Sequence, residues 1–148
     1  VSDYTAIATA LAARYAPGTM SPPAGYDPVR LSTFKPAEDL PPLPCVLVFA
    51  PTEITFGSGN GTRHQAQDWT VRLYYDQAGD LARQAAALLA WLGVFVDQLK
   101  ASAQLGGIVT SAVLTRARSG YLTYAGADFA GIEGTVRILT DESWAATA

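Results

Sequence analysis

The chain is poor in the residues that most often announce chemistry. Its 148 residues include one cysteine, one histidine and one methionine. A lone cysteine excludes an internal disulfide, and with a lone histidine it leaves no ligand set for a structural zinc site. Charge is also scarce: 16% of residues are Asp, Glu, Lys or Arg, against a usual share of about 25%. Basic charge is the scarcer sign, with 10 Lys and Arg against 13 Asp and Glu, a formal net charge of −3 and a pI near 4.9. That balance argues against a dedicated nucleic-acid binder, which carries a basic footprint. The most apolar stretch without a charge, residues 84–96, has 13 residues, short of the roughly 20 that span a bilayer. The first apolar segment is interrupted by Asp3 and Arg14 and has no secretion-signal pattern. The expectation is a soluble, non-secreted chain with no membrane partner.

What the chain does have is apolar substance, 49% of its residues. That excludes a disordered or solvated linker. Its length predicts one domain, residues 1–148, able to bury roughly 70% of its unfolded surface around one core.

Periodicity then places the elements. Ser2 can cap a first helix with Asp3 in its first turn, and Tyr4, Ile7, Leu11 and Tyr15 recur at helical spacing until Pro17-Gly18. Residues 17–44 are rich in Pro and Gly and read as a loop or arm, with a short strand candidate at 29–34 and an extended connector at 36–44. Cys45 to Phe49 is a five-residue apolar run, consistent with a strand covered on both faces. A hairpin follows, with a glycine-rich tip at Gly57-Ser58-Gly59-Asn60-Gly61 and a return strand over 65–75. On that return, Trp69, Val71, Leu73 and Tyr75 share one face and Asp68, Thr70, Arg72 and Tyr74 the other.

Asp76 is a candidate cap for a long helix over 78–100. Its inward stripe reads as Leu81, Ala85, Leu88, Leu92, Val96 and Leu99, flanked by Leu89 and Phe95. The opposite side carries Ala86, Ala87, Ala90 and Val94, so a second packing partner is expected. A strand over 108–118, a turn at Ser119-Gly120, an edge at 121–124 and a last strand over 130–139 complete the reading. Ile132, Val136 and Ile138 point inward on that last strand, Glu133, Thr135 and Arg137 outward, and a loose tail follows Asp141. The fold class is α+β: a mostly antiparallel sheet with the long helix and the N-terminal helix on one face.

Each candidate for chemistry meets a plainer explanation. The glycine-rich stretch lacks the Lys and following helix of a phosphate-binding loop. His64 has no nucleophile or orienting carboxylate at a recognisable spacing. Cys45 sits in the most apolar run and behaves as a small hydrophobe. Glu38-Asp39 and Asp141-Glu142 read as solvated pairs. Arg116 and Arg118 share one strand face, with Arg137 on the neighbouring strand. They form a solvated face pairing with Glu133, or else face another subunit or a lumen. No catalytic, metal or cofactor-binding residue emerges, and the expectation is a protein that is not an enzyme and carries no cofactor.

The order of elements, the run V-L-V-F, the hairpin strand D-W-T-V-R-L-Y-Y-D, the helix A-A-A-L-L-A-W-L and the closing Y-A-G-A-D-F-A-G-I-E-G-T-V-R-I resemble the tail terminator (tail completion) proteins of long-tailed bacteriophages. The resemblance spans residues 4–141 and rests on layout more than on a fixed signature. It implies a structural virion protein at the head-proximal end of the tail, assembled in the host cytoplasm as a homohexameric ring. Such a ring caps the tail tube, ends tube polymerisation and offers a docking surface to the head connector or stopper protein. Genomic DNA passes through its lumen without specific binding. On that basis Ala86, Ala90, Val94, Arg116, Arg118 and Arg137 are candidates for the subunit interface. Gly57, Gly59, Asn60, Gly61, Arg63, Tyr121 and Tyr124 are candidates for ring-to-ring contacts, from the hairpin 56–64 and a loop over 120–128. Another head–tail junction or tail protein is the alternative, followed by a small-molecule-binding module.

Overall fold

The architecture comes from a computed structural model describing residues 3–35, 42–59, 62–79 and 81–143. In chain order it runs α1 (Tyr4–Arg14), β1 (Leu31–Thr33), β2 (Cys45–Phe49), β3 (Ile54–Gly59), β4 (Thr62–Gln77), α2 (Leu81–Asp97), β5 (Ser111–Tyr124) and β6 (Ala127–Ser143). The strands form one six-stranded sheet in the order β1-β2-β4-β6-β5, with β3 pairing the first half of β4. Only β1 and β2 run parallel. This is the expected α+β class, with both helices on one face of the sheet.

The buried alternation explains that layering. Val46 and Val48 of β2, Trp69, Val71 and Leu73 of β4, and Ile132, Val136 and Ile138 of β6 are at most 2% exposed and join one core with α1 and α2. Helix α1 supplies Ile7, Leu11 and the following Tyr15 to that core. Asp3 caps it, its carboxylate accepting from the Ala6 amide at 3.0 Å. Ser2 and the connector residues 36–41 lie outside the described residues. The remainder of the Pro/Gly-rich segment is not a free arm: Met20 and Val29 are buried in the main core.

The odd residues of β2 face the other way, and they too are covered. Cys45 and Leu47 join Tyr74 and Leu122 in a second apolar cluster, flanked by Leu43, Phe49, Tyr124 and Phe129. The apolar run of β2 is therefore buried on both faces, as its composition requires.

The long helix differs from expectation in extent and rotation. It starts at Leu81, because Asp76 remains in β4 and its carboxylate accepts from the Gln77 amide instead of capping. Its inward face is centred on Leu88, Trp91 and Phe95, with Gln84, Ala87 and Leu99. Leu89, expected beside the inward stripe, is 67% exposed, and Ala85 is exposed as well. The rotation follows from ring size: Trp91 fills far more of the sheet's concavity than alanine or leucine can. Phe95 seats over Gly134, where a β-carbon would lie 2.6 Å from the ring. The helical segment Ala82–Ser102 is long and apolar enough to cross a membrane by length and composition; its bulkiest apolar side chains are packed on the sheet.

Strand β5 runs unbroken through Ser119-Gly120, with Gly120 paired to Gly131. The chain reverses instead at Ala125-Gly126, both at positive φ (52° and 83°), the geometry of a tight two-residue hairpin. An alanine in that conformation is uncommon, which is why the sequence hides the turn. The expected strand start at Ile108 moves to Ser111, after a 3-10 turn over Leu105–Gly107. The last strand extends to Ser143, so residues 141–143 are sheet and not tail.

Candidate functional site

The sheet face away from the helices is built from cross-strand pairs. Residues directly opposite share a face, so the register places Asp68, Thr70 and Arg72 of β4 beside Arg137, Thr135 and Glu133 of β6. On β5, Arg116 and Arg118 stand opposite Thr135 and Glu133. Three adjacent strands thus bring one row of charges together. Glu133 accepts from Arg72 Nε at 2.6 Å and from Arg118 Nε at 3.0 Å. Burial alone would raise the Glu133 pKa, but the two guanidinium groups outweigh it and hold the carboxyl below its ordinary value. Arg72 also donates to the Tyr74 hydroxyl at 3.3 Å and lies over the Phe49 ring. Arg137 reaches Asp68 at 3.4 Å. The Arg116 side chain is exposed, without a hydrogen bond or ion pair among the described residues.

The expected pairing of the arginine face with Glu133 is therefore seen for Arg118, whereas Arg137 pairs with Asp68. Arg72 is the partner that the sequence reading left out. Its outward parity on β4, matching that of Glu133 on β6, was the available signal.

The remaining candidates are dispersed. Ala86 is exposed on α2, while Ala90 and Val94 are half-buried, with Val94 packed against the main core. Gly57 and Gly59 belong to β3, and Arg63 to β4, paired as Gly57↔His64, Ser58↔Arg63 and Gly59↔Thr62. The glycine-rich segment is thus mostly strand, not tip; Asn60 and Gly61 lie outside the described residues. Tyr121 is 41% exposed and donates to the Gly79 carbonyl at 2.7 Å. Tyr124 is half-buried, its ring edge-on to Tyr74 at 5.8 Å. The expected loop over 120–128 is consequently the closed end of the β5–β6 hairpin.

His64 does have a carboxylate partner: its Nδ1 lies 2.6 Å from Asp141 Oδ1, across the β4–β6 register. The nearby Thr110 hydroxyl bonds to Asp141 Oδ2 at 3.3 Å and not to the imidazole. That is not the order of a nucleophile–base–acid relay, in which the hydroxyl must reach the imidazole. Among the described residues, no group of three or more His, Cys, Asp or Glu side chains is placed to hold a metal ion.

Two further surfaces stand out. The outward face of α2 presents Ala82, Ala85, Ala86, Leu89 and Gly93, all exposed, in one apolar stripe. At the end of β4, a cleft opens around two Tyr-Asp pairs, Tyr26-Asp27 and Tyr75-Asp76. The repeated dipeptide was visible in the sequence, but nothing there signalled that the two copies meet. No protein-family model matches the chain, and no curated protein matches it.

Proposed function

We propose that the chain is a ring-forming structural subunit of a long-tailed bacteriophage virion, the terminator that caps the tail tube. The observation that carries this reading is the outward apolar stripe of α2. A helix packed on a sheet ordinarily turns a charged back to water, and contiguous exposed apolar surface marks an interaction site. A neighbouring copy of the chain would cover the stripe through a different patch of its own surface. Repeated around an axis, such a heterologous contact closes into a ring.

Ala86, Ala90 and Leu89 carry that contact in this reading. Val94 serves the core of its own subunit. The charged sheet face, with Arg116, Arg118 and Arg137, faces a neighbour or the lumen. On that face Arg72 and Arg118 share the single carboxylate of Glu133 and Arg137 pairs with Asp68, so with Arg116 the row keeps an excess of positive charge. Passage of DNA without specific binding is supported by the chain's net charge of −3, which disfavours tight hold on phosphates. The β3–β4 hairpin, with Gly57, Gly59 and Arg63, and the closed end of the β5–β6 hairpin, with Tyr121 and Tyr124, are the projections available to the tube protein on one side and the head connector or stopper on the other. The function is geometric: the ring matches the last tube ring and presents no equivalent surface for another.

Adding the purified chain to polymerising tail tube protein tests the reading. The expected result is tubes that stop growing and carry a ring at one end by electron microscopy. Tubes that elongate unchanged would refute it. A small-molecule-binding module is the second reading, favoured by the cleft at Tyr26-Asp27 and Tyr75-Asp76.

A further inference from the structure

Two cavities adjoin where β4 ends and α2 begins. One, about 420 Å³, lies between Tyr26, Asp27, Tyr75 and Asp76, against Leu43 and Pro44. The other, about 460 Å³, shares Tyr75 and Asp76 and extends to Gly79, Arg83 and Gln84. The rings of Tyr26 and Tyr75 stand edge to face, 6.3 Å between centroids. Both carboxylates line one cavity with Tyr75, whose hydroxyl pKa is pushed up by burial first and then by Tyr26, Asp76 and Asp27. Asp76 accepts only from the adjacent Gln77 amide, and neither carboxylate has an ion-pair partner among the described residues. Gln84 is 9% exposed; its Nε2 donates to the Gln77 carbonyl and its Oε1 has no partner. A buried acceptor left open calls for a donor.

The chain itself indicates which donor suits such parts. On the opposite sheet face, Arg72 lies 5.3 Å from the Phe49 ring centre and donates to the Glu133 carboxylate and the Tyr74 hydroxyl. The cleft repeats those ingredients, aromatic ring, carboxylate and tyrosine hydroxyl; its first cavity, where both carboxylates lie, has no basic side chain, and Arg83 lines only the second. A guanidinium is planar, weakly hydrated and forked, so it can stack on a ring while serving two carboxylates. An ammonium is compact and strongly hydrated and does neither as well.

We propose that this cleft binds a guanidinium group, stacked on the tyrosines and bonded to Asp27 and Asp76, with Gln84 Oε1 as a further acceptor. The group comes from an arginine of a second copy or from a free guanidinium compound. Arg116, exposed on the edge strand β5, is the arginine a second copy would bring. The cleft's chemistry stands independently of the ring reading.

Propylguanidinium titrated into the full chain, followed by the ring resonances of Tyr26 and Tyr75, tests it. The expected result is a saturable shift at both rings. Binding should be at least fivefold weaker for propylammonium and at least tenfold weaker in the Asp27→Asn/Asp76→Asn variant. No saturable shift, or equal binding of the two cations by the unaltered chain, would overturn the proposal without reliance on any variant. Sedimentation separates the sources. If a second copy supplies the arginine, propylguanidinium and Arg116→Gln both lower the assembled mass. If a free compound is the ligand, the mass stays constant while the ring shifts persist.

Discussion

Glu133 takes two guanidinium donors from two neighbouring strands, and its stability contribution has a definite sign with pH. Its folded pKa lies below the unfolded value, so the contribution is complete above about pH 4.3 and is lost as pH falls through the folded pKa. Glu133→Gln should lower stability at pH 7 by about 1.5–3 kcal/mol, the range for hydrogen bonds to charged groups. The deficit should shrink toward zero in acid; urea melts at a series of pH values from 7 downward follow its loss. Cys45 makes the converse point. Burial pushes its thiol up to about 12, so an alkylating reagent at pH 8 should leave the folded chain unmodified and label it only in denaturant. At Gly134, the Phe95 ring occupies the space a side chain would need. Gly134→Ala should cost about 1–3 kcal/mol through overpacking. The sequence reading found Cys45 inert and Glu133 outward, since both follow from local pattern. It had no access to Gly134, whose requirement is set by a ring 39 residues away in the chain.

Among the elements, strands were the most legible, because period-2 alternation is enforced residue by residue. The boundaries of β2 and the inward residues of β4 and β6 agree with it. Helix α2 was less so. Its alanines and leucines lie on every side, so periodicity alone could not fix the rotation, and Trp91 decided it through volume. The consequence is a clean division of labour along the helix. Trp91→Ala should destabilise the subunit by about 3–5 kcal/mol. Leu89→Ala, at an exposed site, should stay within about 0.5 kcal/mol. Ala86→Glu with Leu89→Glu should leave thermal unfolding of the subunit nearly unchanged and abolish its self-association. Hairpins were legible only where their turn residues were typical: Ala125-Gly126 was missed because alanine is an unusual occupant of positive φ.

For the whole molecule, the sheet separates two environments. One face is sealed by both helices around a single core, and the other is a charged row between the second apolar cluster and the His64–Asp141 pair. Three distinct surfaces stand apart from the core, namely the α2 stripe, the β5 edge and the cleft at the end of β4, which adjoins the start of α2. A contact between two different patches builds rings or open filaments, whereas one self-complementary patch builds a two-fold pair. Of these surfaces the sequence revealed only the α2 stripe, and that one only as an excess of apolar residues, because the others arise from strand order and loop placement. The central claim is therefore ring assembly through the outer face of α2. Light scattering of the purified chain across a concentration series tests it most directly. The account predicts the mass of six 15.6 kDa chains. A stable two-chain mass at every concentration, or a single-chain mass throughout, would contradict it.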